Sequence, residues 1–484
     1  MKNLGDAAAR GAGVVLGTQA ARAALQFGSV VLLARLLTPE DFGLVAMVTA
    51  IIGIAEIIRD SGLSSAAVQA KELSGAERTN LFWANLALGT ACAVVAAAVE
   101  PLIVAGYREP RLAPIVLSLA GVFVISGANT QYRAELTRRM RYRELAMSDV
   151  MAQFAAIVVA AGMALAGFGL WAIVAQQVVT AVVAMAINVA NVRWIPGLPV
   201  RGVSLRRFFR FGGGVLGTHA LAYVTKSISS VAIGAYWGAS PLGIYSRAYQ
   251  LLMTPLQQID APMTGVALPV LSRVAHDDET FSRYVAKVQL VACYVTATVL
   301  AVAAGVATPL TLVLFGPRWI AIAPVFAILA VGGIFRSLGT LAYWIFLARD
   351  RTGAQLRQDL IARPLMIGMM VAGLPFGIIG VAIGHSVAFF LYWVLAYVNV
   401  GRKAQLDMKP LFLNATRSAL LVSAPAGLVA RLASGWLPAP ALVELLAGMA
   451  AAGLFLVVVG TVVPAIRKDF LEAGSLGRRA LKRA

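Results

Sequence analysis

The chain has 484 residues, of which 60% are hydrophobic and 13% are charged, and its formal net charge is +19. So high an apolar fraction excludes a soluble globular chain and a disordered one. No soluble module is predicted that could hold a nucleic acid, so no nucleic-acid partner is expected. The basic residues are instead expected to face the anionic headgroups of a lipid bilayer.

Fourteen apolar segments follow one another along the chain. Each is long enough, or nearly so, to cross a hydrocarbon core that needs about 20 helical residues. We therefore predict an all-α polytopic membrane protein with fourteen transmembrane helices. The predicted spans are residues 11–36, 42–66, 80–105, 112–135, 148–167, 169–191, 211–236, 242–268, 285–307, 320–347, 360–376, 378–399, 411–432 and 440–464.

The lysines and arginines are distributed unevenly among the connections between these spans. Thirty of the 41 lie in the two ends of the chain or in the even-numbered connections, and five lie in the odd-numbered connections. Because translocation resists short cationic loops, the strongly cationic side is predicted to be cytoplasmic. Both termini are then cytoplasmic.

An offset of 200 residues aligns two parts of the chain. VLGTQA from Val15 falls on VLGTHA from Val215 without a gap, and Gly43 falls on Gly243. Six predicted helices precede residue 200, so both repeats begin on the same side of the membrane and are parallel. We predict two six-helix lobes, residues 1–200 and 201–403, around a central cavity. Residues 404–484 would add two helices and a basic cytoplasmic tail.

The remaining six of the 41 lysines and arginines lie well inside the predicted helices. An ionised side chain at a helix centre costs about 2.5 to 3.5 kcal/mol on insertion scales, so it normally faces a wet cavity or a charged partner. Each cation is either neutralised locally or drawn to an interface, or it lines a cavity for an anionic solute such as a pyrophosphate. The six are Arg22, Arg59, Lys226, Arg247, Arg336 and Arg417.

Three of the carboxylates within the predicted helices are candidates for binding a coupling proton or sodium ion. Asp60 and Asp260 are related by the offset of 200 residues, and Glu56 lies one turn before Arg59. Residues three or four apart on a helix are neighbours, so a salt bridge is the alternative role for these groups.

Motifs for catalysis or for cofactor binding are absent from the sequence. It contains no P-loop, no GxSxG and no HExxH, and its three histidines are scattered along the chain. We therefore predict a protein that is not an enzyme and that has no cofactor and no metal site.

Two stretches carry a resemblance to a known family. LLARLLTPEDFGLVAMVTAI from Leu32, followed by RDSGLSSAAVQ from Arg59, and LGIYSRAYQLLMTPLQQI from Leu242 resemble the Wzx-type polysaccharide flippases of the MOP superfamily, especially the colanic-acid-exporter-like branch.

This resemblance implies a bacterial inner-membrane protein that moves undecaprenyl-pyrophosphate-linked oligosaccharide from the cytoplasmic to the periplasmic leaflet by alternating access. The product would be a lipopolysaccharide or an exopolysaccharide, and a polysaccharide polymerase and the export machinery are candidate partners. The resemblance also implies a cationic lumen, which matches Arg22, Arg59, Lys226, Arg247 and Arg336.

Two other functions compete with this interpretation. An ion-coupled exporter of the multidrug type would share the helical architecture, but cationic drugs favour an anionic cavity, whereas the predicted cavity is cationic. A membrane glycan polymerase or ligase would need a substantial outer loop with catalytic residues, and the outer connections predicted here are short.

Overall fold

The computed structural model describes residues 17, 21–60, 68, 73–203, 205, 223, 225, 227–404, 406–436, 439–464 and 466–469. Within these residues the chain is helical and contains no strand. The helices are α1 (residues 21–36), α2 (Pro39–Asp60), α3 (Gly75–Tyr107), α4 (Leu112–Arg138), α5 (Tyr142–Leu165), α6 (Trp171–Val192), α7 (residues 227–237), α8 (Ala239–Arg273), α9 (Asp278–Gly305), α10 (Ala307–Leu314), α11 (Ile322–Ala348), α12 (Thr352–Ala372), α13 (Gly377–Ala404), α14 (Lys409–Gly435) and α15 (Ala441–Val462).

Nine helical segments in this part of the chain are long and apolar enough to cross a membrane. The prediction of an all-helical, multi-pass membrane protein is thereby confirmed. The predicted number of fourteen spans stays a prediction. Short turns of other helix types interrupt or join several elements. They are the π turns Cys293–Ala297 in α9 and Ala419–Ser423 in α14, and the 3₁₀ turns Pro317–Trp319 and Leu374–Phe376.

Polar capping residues set the first residue of several helices. The hydroxyl of Thr38 donates to Asp41, and the backbone N–H of Asp41 donates back to Thr38, with Pro39 at the first helical position of α2. Ser74 and Glu77 form the same reciprocal capping box at the start of α3. Such boxes satisfy backbone N–H groups that have no partner within the helix.

Several predicted spans have the wrong ends because helices continue beyond their apolar residues. The span predicted at 360–376 begins at Thr352 in α12 and passes to a 3₁₀ turn after Ala372. The span predicted at 285–307 begins at Asp278, where Asp277 caps α9. Hydropathy marks the part of a helix that lies in hydrocarbon, whereas caps and turn residues decide where the helix begins and ends.

By its internal contacts the chain divides into two compact units, Met1–Gly243 and Ile244–Ala484. In the first unit, α3 and α4 approach closely at Gly89 and Gly127, since a Cβ placed on either glycine would meet backbone of the facing helix. In the second unit, α11 and α13 pack closely where the hydroxyl of Ser386 donates to the carbonyl of Ile328. Small residues at helix contacts are typical of membrane proteins. The division at residues 200 and 403 stays a prediction.

The first unit also contains a reciprocal crossing of α2 with the first turn of α8. A Cβ on Gly43 would overlap the carbonyl oxygen of Ala239, and a Cβ on Gly243 would overlap the carbonyl oxygen of Pro39. The offset of 200 residues carries Pro39 to Ala239 and Gly43 to Gly243. Gly43 thus meets Ala239, and its equivalent Gly243 meets Pro39, the equivalent of Ala239. Such a reciprocal contact is characteristic of two segments related by a two-fold axis. The crossing therefore supports an internal duplication.

Candidate functional site

The first candidate is an ion pair inside the second unit. A guanidinium nitrogen of Arg336 in α11 lies 3.4 Å from a carboxylate oxygen of Asp260 in α8, and 29% and 21% of the two side chains are exposed. One turn further along α8, the hydroxyl of Thr264 accepts a hydrogen bond of 3.1 Å from the indole N–H of Trp344. Two polar contacts therefore join α8 to α11 within a helical region. Asp260, a predicted ion-coupling candidate, has an arginine partner.

The second candidate is a three-residue cluster inside the first unit. The Asp149 carboxylate in α5 accepts two hydrogen bonds from Arg133 in α4, of 2.5 and 3.3 Å. It accepts a third, of 2.9 Å, from Arg22 in α1. Two guanidinium groups thus share one carboxylate. We name these three side chains the Asp149 cluster.

The other predicted site residues are placed as follows. Arg417 in α14 pairs with Asp469, which also accepts a hydrogen bond of 2.8 Å from Tyr294. Arg247 is partly buried in α8, and Glu56 is exposed on α2. The side chains of Arg59 and Asp60 and the whole of Lys226 lie outside the described residues. Their predicted roles stay predictions.

Three of the six predicted intramembrane cations have a carboxylate partner. Arg22, Arg336 and Arg417 each contact a carboxylate from another part of the chain. A charge pair of this kind lowers the cost of placing each ion away from water, although it does not prevent either ion from exchanging its partner for a ligand.

Two polar groups escaped the sequence analysis. Asp359 and Arg363 form an ion pair of 3.1 Å within α12, and the hydroxyl of Tyr392 in α13 donates to Asp359 at 2.9 Å. Arg363 lies inside the predicted span 360–376 but was not counted among the intramembrane cations. The spacing i, i+4 of an acid and an arginine was visible in the sequence, but Asp359 lies just before that span. Arg133, near the end of the predicted span 112–135, was not counted either, and it lies within α4.

His385 lies among aromatic rings. Its ring centroid is 5.5 Å from that of Tyr249 and 4.8 Å from that of Phe389. Among the residues that the structure describes, no group of three or more His, Cys, Asp or Glu side chains could hold a metal ion.

An ion cluster ties the start of α2 to the connection between α3 and α4. Arg111 donates to Glu40 at 2.7 Å and to Glu109 at 2.8 Å. The hydrogen bonds from Arg111 lower the pKa of Glu109, and those to both carboxylates raise the pKa of Arg111. Glu109 and Arg111 therefore stay charged near neutral pH.

Residues 32–324, more than half of the chain, match the family described as polysaccharide biosynthesis protein. The chain belongs to this family. It is 26% identical to the lipopolysaccharide biosynthesis protein WzxC of Escherichia coli K12 over 75% of each chain. It is 30% identical to the succinoglycan biosynthesis transport protein ExoT of Rhizobium meliloti over 63% of this chain and 62% of the relative. The resemblance to Wzx-type proteins is confirmed.

Solved structures show the same fold at low sequence identity. The lipid II flippase MurJ in an inward closed conformation superposes with a TM-score of 0.72, at 12% identity, over 92% of this chain and 98% of MurJ. An inward-facing multidrug transporter of the MATE family, also of the MOP superfamily, gives a TM-score of 0.61 at 15% identity, over 79% and 94% of the two chains. This chain therefore shares a fold with these two proteins.

Proposed function

We propose that this protein is a flippase for undecaprenyl-pyrophosphate-linked oligosaccharide, which it moves from the cytoplasmic to the periplasmic leaflet by alternating access for export of a cell-surface polysaccharide. The observation that carries this proposal is the family match over residues 32–324. The name of ExoT states transport in polysaccharide biosynthesis, and the fold is that of a protein named as a lipid flippase.

The charges within the helices suit this substrate. A pyrophosphate is bound best by arginine, whose planar guanidinium forms paired, charge-assisted hydrogen bonds. The Asp149 cluster contains two arginines and one carboxylate, so it carries one unbalanced positive charge. Arg247 and Arg336 supply further guanidinium groups in α8 and α11.

A multidrug-type exporter is the second candidate, because the fold is shared with a MATE transporter. The sign of the charge within the helices argues against it, since organic cations would be repelled by the unbalanced positive charge of the Asp149 cluster. Transport, rather than the bond-making chemistry of a polymerase or a ligase, is the proposed activity, because the relatives are named for biosynthesis and transport of polysaccharides.

We further propose that the protein lies in the bacterial inner membrane with both termini in the cytoplasm. Cysteines placed at Arg108 and Arg318 should react with a membrane-impermeant thiol reagent in cells whose outer membrane has been permeabilised, whereas a cysteine at Arg141 should react only after the inner membrane is opened. Reaction of the cysteine at position 141 from the periplasmic side would reverse this orientation.

Deletion of the gene tests the transport function. We expect loss of one surface polysaccharide together with accumulation of its lipid-linked intermediate, because synthesis continues while translocation stops. When the gene is reintroduced with Arg59→Ala or Arg247→Ala, it should restore little polysaccharide, although the variant protein is present at a normal level. Arg→Lys should restore part of it, since an ammonium group keeps the charge but loses the bidentate geometry.

Arg431→Ala is the matched control, since Arg431 lies exposed near the end of α14. Normal polysaccharide export by both Arg59→Ala and Arg247→Ala would reject these two arginines as substrate contacts. If the deletion strain has unchanged surface polysaccharides and accumulates no lipid-linked intermediate, the flippase function itself is rejected.

A further inference from the structure

Within the Asp149 cluster, the two arginines contact the carboxylate in different ways. Arg133 holds it at two points, with distances of 2.5 and 3.3 Å to the two oxygens. Arg22 holds it at one point, 2.9 Å from Oδ2. A two-point contact between a guanidinium and a carboxylate is geometrically more specific than a single contact. Arg22 is therefore the partner that Asp149 can release more easily.

Exposure divides the cluster in the same way. The exposed fractions of the side chains are 57% for Arg22, 36% for Arg133 and 16% for Asp149. The carboxylate is thus mostly covered, while more than half of the Arg22 side chain remains accessible. An anion approaching the cluster would meet Arg22 first.

The depth of the cluster matches that of a lipid headgroup. Arg133 lies five residues before the end of α4, and Asp149 lies seven residues after the start of α5. At 1.5 Å per residue, these positions are about 8 and 10 Å from the helix ends. The polar layer of a bilayer adds about 5 to 8 Å to each side of the hydrocarbon core. If the helices end at the outer edge of this layer, the cluster lies near its boundary with the hydrocarbon.

The side of the membrane follows from the connection that joins these two helix ends. This connection carries Arg139 and Arg141, and the charge distribution of the whole chain predicts that it is cytoplasmic. A lipid-linked diphosphate in the cytoplasmic leaflet would therefore lie at the level of the Asp149 cluster.

We infer that Arg22 captures the diphosphate of the lipid-linked substrate in the cytoplasmic leaflet by exchanging its contact with Asp149 for one with the substrate. Asp149, still held at two points by Arg133, is the positioning residue: it orients Arg22 before the substrate arrives and competes with the diphosphate for it. This inference rests on the proposed function and adds to it the first binding step and an internal competitor.

The competition makes the effect of Asp149→Asn distinctive. Removal of the carboxylate charge takes away the anion that competes for Arg22, so binding of a diphosphate should become tighter. A merely structural salt bridge would have the opposite result, because loss of its acid partner weakens the local fold and any site built on it. The direction of the change in affinity therefore separates the two roles.

The test uses the full chain in lipid nanodiscs with undecaprenyl diphosphate as the probe, measured by binding titration. We expect Arg22→Ala to weaken binding about tenfold, which corresponds to about 1.4 kcal/mol. We expect Asp149→Asn to tighten binding about 3-fold or more. In the double variant Arg22→Ala with Asp149→Asn, most of this gain should disappear, since the two residues act through one contact.

Glu144→Gln is the matched control. Glu144 lies on α5 close to Asp149 and also pairs with an arginine, Arg141, at 3.0 Å. Its neutralisation removes the same charge from the same helix and should leave the affinity unchanged. Inorganic pyrophosphate tests whether the lipid chain contributes to binding. It should compete with the probe only weakly. Pyrophosphate that binds as tightly as undecaprenyl diphosphate would overturn capture from the membrane.

The outcomes separate this inference from the proposed function. If Arg22→Ala binds like the wild type, or if Asp149→Asn binds no more tightly while its melting temperature is normal, the inference is rejected and the flippase function stands. If the Asp149→Asn protein does not fold, the comparison of Arg22→Ala with Arg22→Lys decides, because Arg22 is largely exposed. A wild-type protein that neither binds the probe nor translocates lipid-linked glycan would reject both proposals.

Discussion

Gly43→Ala is expected to cause a large loss of stability. A Cβ at this position overlaps the carbonyl oxygen of Ala239, so α2 and α8 must separate to accommodate it. Overpacking of a well-packed interior costs about 1 to 3 kcal/mol and occasionally more. Here the obstacle is backbone rather than a flexible side chain, so we expect about 3 kcal/mol or more, seen as a much lower melting temperature in detergent.

The reciprocal substitution Gly243→Ala should have a similar effect, because its Cβ overlaps the carbonyl oxygen of Pro39. Gly121→Ala and Gly162→Ala are the controls, since a Cβ at either helical position has no other atom within 4 Å. Both should be neutral or slightly stabilising, as is usual when alanine replaces glycine within a helix. A Gly43→Ala protein that melts at the wild-type temperature would contradict the close crossing of α2 with α8.

Arg336→Ala is also expected to lower the stability of the folded protein. It leaves the carboxylate of Asp260 without its guanidinium partner inside α8. Breaking a fully buried pair costs about 3 to 5 kcal/mol, and the partial exposure of this pair reduces our expectation to about 2 kcal/mol. The measurement is thermal unfolding of the purified protein, with Arg431→Ala as the exposed control.

The double variant Asp260→Asn with Arg336→Ala distinguishes a lost pair from a lost packing contact. Most of the stability should return, because the uncompensated carboxylate has also been removed. A double variant as unstable as Arg336→Ala alone would show that the Arg336 side chain stabilises the fold through its packing.

The fold class could be predicted from the sequence because hydrophobic length and the distribution of lysine and arginine depend on the membrane itself. The match of Gly43 with Gly243 at the offset of 200 residues also predicted a pair of equivalent positions, and these meet reciprocal partners in the structure. The start of α2 was missed, because the predicted span begins at residue 42 whereas the cap formed by Thr38 and Asp41 starts the helix at Pro39.

Which helices pack side by side could not be predicted in this way. Hydropathy shows that Asp260 and Arg336 lie inside helices, but it contains no information about whether α8 and α11 pack side by side. The contact of Arg22 with Asp149 could not be predicted for the same reason, because these residues are 127 positions apart in the chain. Asp359 was missed for a different reason: α12 begins several residues before its apolar part, at Thr352.

Translocation by the purified protein is the most direct test of its function. Vesicles containing the protein and an undecaprenyl-pyrophosphate-linked oligosaccharide would be prepared with the glycan in one leaflet, and its appearance in the other would be followed with a glycan-cleaving enzyme that cannot cross the membrane. We expect transfer that requires the protein and that falls strongly in the Arg22→Ala variant. Transfer at the rate of protein-free vesicles, by folded protein and under proton and sodium gradients of either direction, would contradict the flippase function.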